Sequence, residues 1–240
     1  MIKTSEALLL RSINYGEADK ILVLLTEKFG KISGIAKGAR KSLRRFGGRL
    51  EPFVHFRLRF RKKPGLNLIE DCEVIEVFST LRESVELFSW GSFILETTDA
   101  LFPEDEPNKE AFSLLVRTLQ TLDKGISPIH TALEFQLRSL SLAGYEPSFE
   151  VCVICKERIG DTLFSIKKGG VVCAECAKTK GIDLVSTSYS FIKGCRNIIK
   201  GVRSECSEPT FEDVKLLKRF TEYHTEKELK SSKFLEEVVS

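Results

Sequence analysis

Four of the seven cysteines fall into two close pairs, Cys152-x2-Cys155 and Cys173-x2-Cys176, with seventeen residues between them. Two such pairs offer four thiolates to one tetrahedral zinc ion, each pair on a tight turn, with Leu163 to Val172 and its Gly169-Gly170 able to form a hairpin between them. Four protein ligands leave no position for water or substrate, so the chemistry expected here is structural, with one Zn2+ as the cofactor. Four unrelated cysteines, or a redox pair, are the competing readings; a redox pair wants a helix after Cys155, and no helical pattern follows it. Cys72, Cys195 and Cys206 have no partners at ligand spacing and read as small buried hydrophobes.

The second set of residues is cationic. Lys37, Arg40, Lys41, Arg44, Arg45 and Arg49 lie within thirteen residues with no acid among them, and Arg57, Arg59, Arg61, Lys62 and Lys63 follow; Glu51 is the one acid between Lys37 and Lys63. Such density repels itself unless an anion compensates it, which points to nucleic-acid phosphate. Arg57, Arg59 and Arg61 alternate with apolar residues, so one strand face would carry three guanidinium groups over about 13 Å at about 3.3 Å per residue. Tyr15, Phe46 and Phe53 are nearby candidates for stacking on bases. The competing reading is a solvated basic face over core phenylalanines, and for Phe56 and Phe60 that reading is preferred.

No catalytic constellation emerges. The motifs G-x-x-x-x-G-K-[ST], G-x-G-x-x-G, H-E-x-x-H and G-x-S-x-G do not occur, and His55, His130 and His224 lie far apart in the 240-residue sequence. The expectation is a protein that is not an enzyme. A hydrophobic content of 42% with 30% charged residues excludes a disordered chain, and no apolar run approaches the roughly 20 residues of a membrane helix. Glu6 and Arg11 interrupt what a signal peptide would need, so a cytoplasmic protein is expected. The formal net charge of +3 hides a segregation: residues 1–80 hold 16 basic and 9 acidic side chains, and residues 81–240 hold 21 and 25.

The elements that must position these groups divide at about residue 78. Before it, short apolar runs at Ala7 to Leu10, Ile21 to Leu25, Ile32 to Ala36, Phe53 to Phe60 and Leu66 to Phe78 read as five strands, enough for a small closed barrel of the oligonucleotide-binding (OB) type. The strict alternation of 54–61 places Val54, Phe56, Leu58 and Phe60 inside, and His55 and the three arginines outside. After it the period is helical. Thr80 and Glu83 have capping-box spacing before a helix to about Leu101; Asn108 caps one over Lys109 to Asp123, Ser127 caps one over Pro128 to Ala143, and helices resume at Tyr189 to Lys200 and Thr210 to Lys230. The fold class expected is α+β and multidomain: an OB-fold domain over 1–78, then an α-helical domain over 79–240 interrupted by the zinc finger at about 150–180.

Four blocks carry a resemblance: Tyr15-Gly16-Glu17-Ala18-Asp19, Leu25-Thr26-Glu27-Lys28-Phe29-Gly30-Lys31, Ala36-Lys37-Gly38-Ala39-Arg40-Lys41-Ser42 and Leu50-Glu51-Pro52-Phe53. In this order they resemble the bacterial DNA recombination and repair protein RecO family, and the weaker match beyond them includes a helical domain holding a four-cysteine finger. The resemblance implies a mediator that binds single- and double-stranded DNA and anneals complementary strands coated by single-stranded-DNA-binding protein. It also implies that such a protein works with RecR to help load the RecA recombinase at gaps, with RecF as a further partner. It places the contact with the acidic, apolar-ended tail of single-stranded-DNA-binding protein in the helical domain, where Arg138, Arg196 and Arg203 are candidate cations. The alternative from residues alone is a zinc-ribbon OB-fold protein that binds RNA or associates with transcription.

Overall fold

The computed structural model describes residues 1–41, 46–157, 163–202 and 208–239. Strands β1 (Ile2–Tyr15), β2 (Asp19–Thr26), β3 (Gly30–Ala36), β4 (Val54–Arg61) and β5 (Asn67–Val77) pair in the order β1-β2-β3-β5-β4 and close into a barrel. Every neighbouring pair is antiparallel except β3 with β5, where Gly34 to Ala36 run parallel to Asn67 to Ile69. β1 serves two partners, β4 through Ile2 to Leu8 and β2 through Ala7 to Tyr15, with an irregularity between Leu9 and Arg11 where it turns from one to the other. At the β3–β5 contact space is short: a Cβ on Gly34 would lie 2.6 Å from Ile69 Cδ1, so the buried Ile69 side chain would have to shift. Inside, Ala7, Leu9, Leu22, Leu24, Ile32, Phe56, Leu58, Phe60 and Ile69 form one apolar core. The five expected strands and the OB-type barrel are thus present: the first three strands run longer than expected, β4 is shifted by one residue, and β5 stops one residue short at each end.

The helices begin where the strand period stops. The single helix expected from Thr80 to Leu101 is two: α1 (Ser79–Glu83) and α2 (Val85–Leu101). The chain becomes extended at Ser84, whose hydroxyl accepts the Leu87 amide and caps α2, so the cap lies four residues later than Thr80. Asn108 caps α3 (Lys109–Asp123) as expected, accepting from the Ala111 amide at 2.9 Å. Ser127 precedes α4 (Pro128–Leu142) without a side-chain cap, and Pro128 supplies the first-turn preference instead. The strands β6 (Leu163–Ser165) and β7 (Gly170–Val172) form the expected hairpin; β8 (Val185–Ser186), not expected, adds a third strand on β6. Helix α5 (Ala174–Ala177) follows the second cysteine pair, and α6 (Tyr189–Lys200) follows β8. The expected span from Thr210 to Lys230 is divided between α7 (Phe211–Thr225), opened by a Thr210/Asp213 capping box, and α8 (Ser231–Val239).

By packing, the chain forms two compact units, residues 1–126 with 230–240, and residues 127–229. In the first, α8 returns to pack on α2, and the Ser231 amide donates to Glu96 at 2.7 Å. In the second, α4 packs against α6 and α7, and Phe149, Phe164, Phe191 and Phe220 interlock with ring centroids 5.6 to 5.9 Å apart. The strand-to-helix change falls at residue 78, whereas the compact units place α1 to α3 and the C-terminal helix with the barrel.

Candidate metal centre and nucleic-acid interface

The four cysteines of the two pairs come together, their sulfurs all within 4.8 Å of one another, and could hold a metal ion. Cys155 Sγ and Cys173 Sγ are 3.7 Å apart, close to the edge of about 3.8 Å that four Zn–S bonds of about 2.3 Å give a tetrahedron. Local turns aim them. The Cys152 carbonyl accepts the Lys156 amide, closing the first knuckle, while Cys173 caps α5 and its sulfur accepts the Cys176 amide at 3.4 Å. Burial pushes the Cys152 thiol up. The backbone hydrogen bonds of Cys173, Cys155 and Ile154 outweigh that effect and, with the Cys155 thiol, bring it down to about 6. Cys176 moves oppositely, to about 12, first through hydrogen bonding with Cys173, then burial, then its other sulfur neighbours. Four sulfurs this close do not all ionise without a cation among them. Cys72 and Cys195 are buried as expected, while Cys206 lies outside the described residues.

The cationic residues divide into two groups. Lys37, Arg40 and Lys41 belong to a segment clipped onto the β1–β2 turn. There the Gly38 amide donates to Asp19 Oδ1 at 2.8 Å and the Arg40 amide to the Ala18 carbonyl at 2.9 Å. The Arg40 guanidinium reaches the carbonyls of Gly16 and Glu17, and Lys41 stands 3.8 Å from Glu17. Tyr15, 56% exposed, opens the same turn. Arg44 and Arg45 lie outside the described residues. Arg49 is half-buried, and its Nη1 donates to the Cys72 carbonyl at 3.3 Å.

The second group is the outer face of β4, and here the barrel supplies its own counter-ions. The register sets Arg57 opposite Glu73 and Arg59 opposite Asp71 on β5. Arg57 Nη1 is 3.3 Å from Glu73, Arg59 lies 3.8 Å from Glu70 and 4.0 Å from Asp71, and Arg61 Nη2 is 2.8 Å from Glu70. Lys62 is 3.4 Å from Asp105, and Lys63 is exposed. The compensating anion for β4 is therefore already present as a ladder of carboxylates, a feature that counting acids between residues 37 and 63 misses because β5 begins at Asn67. Such exposed pairs are each worth roughly 0–1 kcal/mol and yield readily to a competing anion.

Other sequence expectations need correction. Phe46 and Phe53 are core residues, 2% and 1% exposed, with Phe53 packed edge-on against Phe88, so neither offers a face to a base. His55 is 6% exposed rather than on the wet face. Its Nε2 lies 3.1 Å from Glu6, and Phe112 of α3 stands 5.7 Å away, because a helix covers this end of the barrel's outer surface. In the helical region, Arg138 pairs with Glu134 one turn away, Arg196 Nε donates to the Phe149 carbonyl at 2.7 Å, and Arg203 lies outside the described residues. Among the described residues no helix is long and apolar enough to cross a membrane.

Comparison with known proteins finds one family in two parts. Residues 1–78 match the family model "Recombination protein O N terminal" and residues 82–233 match "Recombination protein O C terminal". The chain is 32% identical to the DNA repair protein RecO of Syntrophus aciditrophicus over 98% of its own length and 95% of that protein. It is 32% identical to the RecO of Pelotomaculum thermopropionicum over 97% and 93%, and 36% identical to that of Thermodesulfovibrio yellowstonii over 73% and 70%. With both halves matched in order over a barrel and a cysteine-bearing helical region, the chain belongs to the RecO family of DNA repair and recombination proteins.

Proposed function

We propose that this chain is a non-enzymatic recombination mediator of the cytoplasm. In this reading it binds single- and double-stranded DNA, anneals complementary strands coated by single-stranded-DNA-binding protein, and with RecR promotes RecA loading, RecF being a further partner. The observation that carries the reading is the family match over both parts of the chain, joined to a barrel whose β1–β2 turn holds a cationic segment beside an exposed tyrosine. Annealing asks for neutralisation of two phosphate backbones and needs no nucleotide site.

The primary phosphate contacts in this reading are Lys37, Arg40 and Lys41, together with Arg44 and Arg45, because the backbone clip on Asp19 and Ala18 fixes where their stems begin. Arg57, Arg59, Arg61 and Lys62 contribute second, each exchanging a carboxylate for a phosphate; Lys63 joins them, and Arg49 acts by positioning. Zinc is the metal that the four-thiolate donor set and its spacing fit, and it would serve as scaffold, since all four positions come from protein.

Lys37→Glu with Lys41→Glu should weaken binding to a single-stranded oligonucleotide. It should also reduce the slope of log affinity against log salt by about 0.7 for each phosphate that the variant no longer neutralises. An unchanged slope would remove this segment from the DNA site. Annealing of coated strands without nucleotide tests the mediator role itself, and binding without annealing would sink it.

A further inference from the structure

Residues 127–229 carry an aromatic cluster that the zinc finger and the DNA reading leave without a role. Phe220 of α7 is buried at 2% exposed, and the His224 ring lies against it with centroids 4.3 Å apart. Tyr223 meets His224 edge-on at 5.2 Å, and Tyr145, just past the end of α4, lies tilted by 36° at 5.9 Å. The cluster is held in place from two sides. His224 Nε2 is 3.2 Å from the Ile166 carbonyl on the β6–β7 hairpin, and the Tyr145 amide donates to Leu140 at 2.8 Å where Gly144 ends the helix in a left-handed turn. Yet Tyr145 and Tyr223 are 37% and 48% exposed. Pinned rings that remain half in water are costly to leave bare and suited to receiving a flat partner.

The surrounding charges say what kind of partner. Lys167 and Lys168 follow Ile166 directly on the hairpin turn, and Arg219 lies one helical turn before Tyr223; all three are exposed and make no ion pair among the described residues. The nearby acids are mostly engaged. Glu146 accepts from Ser141, Glu222 pairs with Lys218 and accepts the Leu229 amide, and Asp183 accepts from Ser165 and the Lys167 amide; Glu226 remains exposed. Rigid exposed aromatics with uncompensated cations at their rim are the combination that holds single-stranded nucleic acid, bases on rings and phosphates on cations.

We propose that Tyr145, Tyr223 and His224, with Lys167, Lys168 and Arg219, form a second single-strand-binding surface that stacks unpaired bases, distinct from the barrel's cationic segment. It rests on the DNA reading above and adds to it a place where the unpaired bases of a strand can stack, which the barrel's cationic groups do not supply. It also gives the finger a use: its hairpin turn carries two of the cations and the carbonyl that fixes His224.

The test uses the full chain with its metal, a fluorescent oligothymidylate, and the same oligonucleotide substituted with 5-iododeoxyuridine for photo-cross-linking and peptide mapping. Cross-links are expected on peptides holding Tyr145 or Tyr223. Tyr145→Ala with Tyr223→Ala should weaken single-strand binding by roughly 5-fold to 100-fold, the range expected for losing a stacked base. Tyr145→Phe with Tyr223→Phe, which keeps the rings, should restore it, and duplex binding should stay unchanged because paired bases are not available to stack. If the alanine variant binds single strands normally and no cross-link maps here, while Lys37→Glu with Lys41→Glu still loses affinity, this site is wrong and the DNA reading stands. If the alanine variant loses only the binding of an acidic peptide ending in an aromatic residue, the surface belongs to a protein partner and the proposal falls. If the unaltered chain binds no DNA, both readings fail together.

Discussion

In the barrel, strands of 7 to 14 residues close on one another and bury a continuous apolar core from Ala7 to Cys72. In the finger, strands of three, three and two residues surround little more than Phe164, Val171 and Val172 before the chain reaches the four sulfurs. A strand of eight residues can be held by packing alone, whereas a three-residue strand cannot offset its ordering entropy of roughly 1–2 kcal/mol per residue without another constraint. The barrel is therefore fixed by hydrophobic area, and the finger by what joins Cys152, Cys155, Cys173 and Cys176.

Metal removal is the most severe way to break that comparison. Stripping the ion with a strong chelator, or Cys152→Ser, should abolish hydrogen-exchange protection at the finger amides, such as Val153 and Val171, while the amides of β1 to β5 keep theirs. The expected loss is large, since structural zinc contributes apparent energies of about 10–16 kcal/mol in isolated fingers. Equal loss in barrel and finger would show that the two regions do not differ in the way proposed. The converse change is Phe56→Ala. Deleting a fully buried ring from the barrel core should cost about 3–5 kcal/mol, lowering the barrel's unfolding midpoint while the protein retains its metal stoichiometry. Metal release in that variant would mean that the finger leans on the barrel core.

Much of both regions could be read from residue order, and what could not has a physical cause. Period-2 runs mark the five strands, and cysteine spacing marks the metal centre, because both depend on neighbours along the chain. The carboxylate ladder facing Arg57, Arg59 and Arg61 depends instead on the β4–β5 register, with its irregularities at His55/Phe56 and Arg59/Phe60, and no local pattern states a register. His55 obeys the alternation and is buried all the same, because α3 covers that part of the sheet. Phe46 and Phe53 adjoin the cationic run in sequence but turn into the core. The Tyr145–Tyr223–His224 cluster joins residues almost eighty positions apart, so no motif announces it.

The least of the expected effects concerns two cysteines that bind nothing. Burial raises the Cys72 thiol to about 11, with Arg49 opposing and Asp71 adding to the shift, and burial, with Asp213 adding, raises Cys195 well above its ordinary value. A thiol whose folded value lies above its unfolded value of about 9 favours the native state below pH 9 and loses that advantage as pH rises toward the folded value. Between about pH 9 and 11 the unfolded thiolate gains while the buried thiol does not, so stability should decline over this window. The comparison with Cys72→Ala isolates the thiol: the variant starts less stable at neutral pH yet should show a shallower alkaline decline in barrel stability. Cys195→Ala should do the same for residues 127–229. Parallel declines in wild type and Cys72→Ala, measured by urea unfolding at fixed ionic strength, would mean that the barrel core admits water at Cys72 and that its packing is looser than the closed sheet implies.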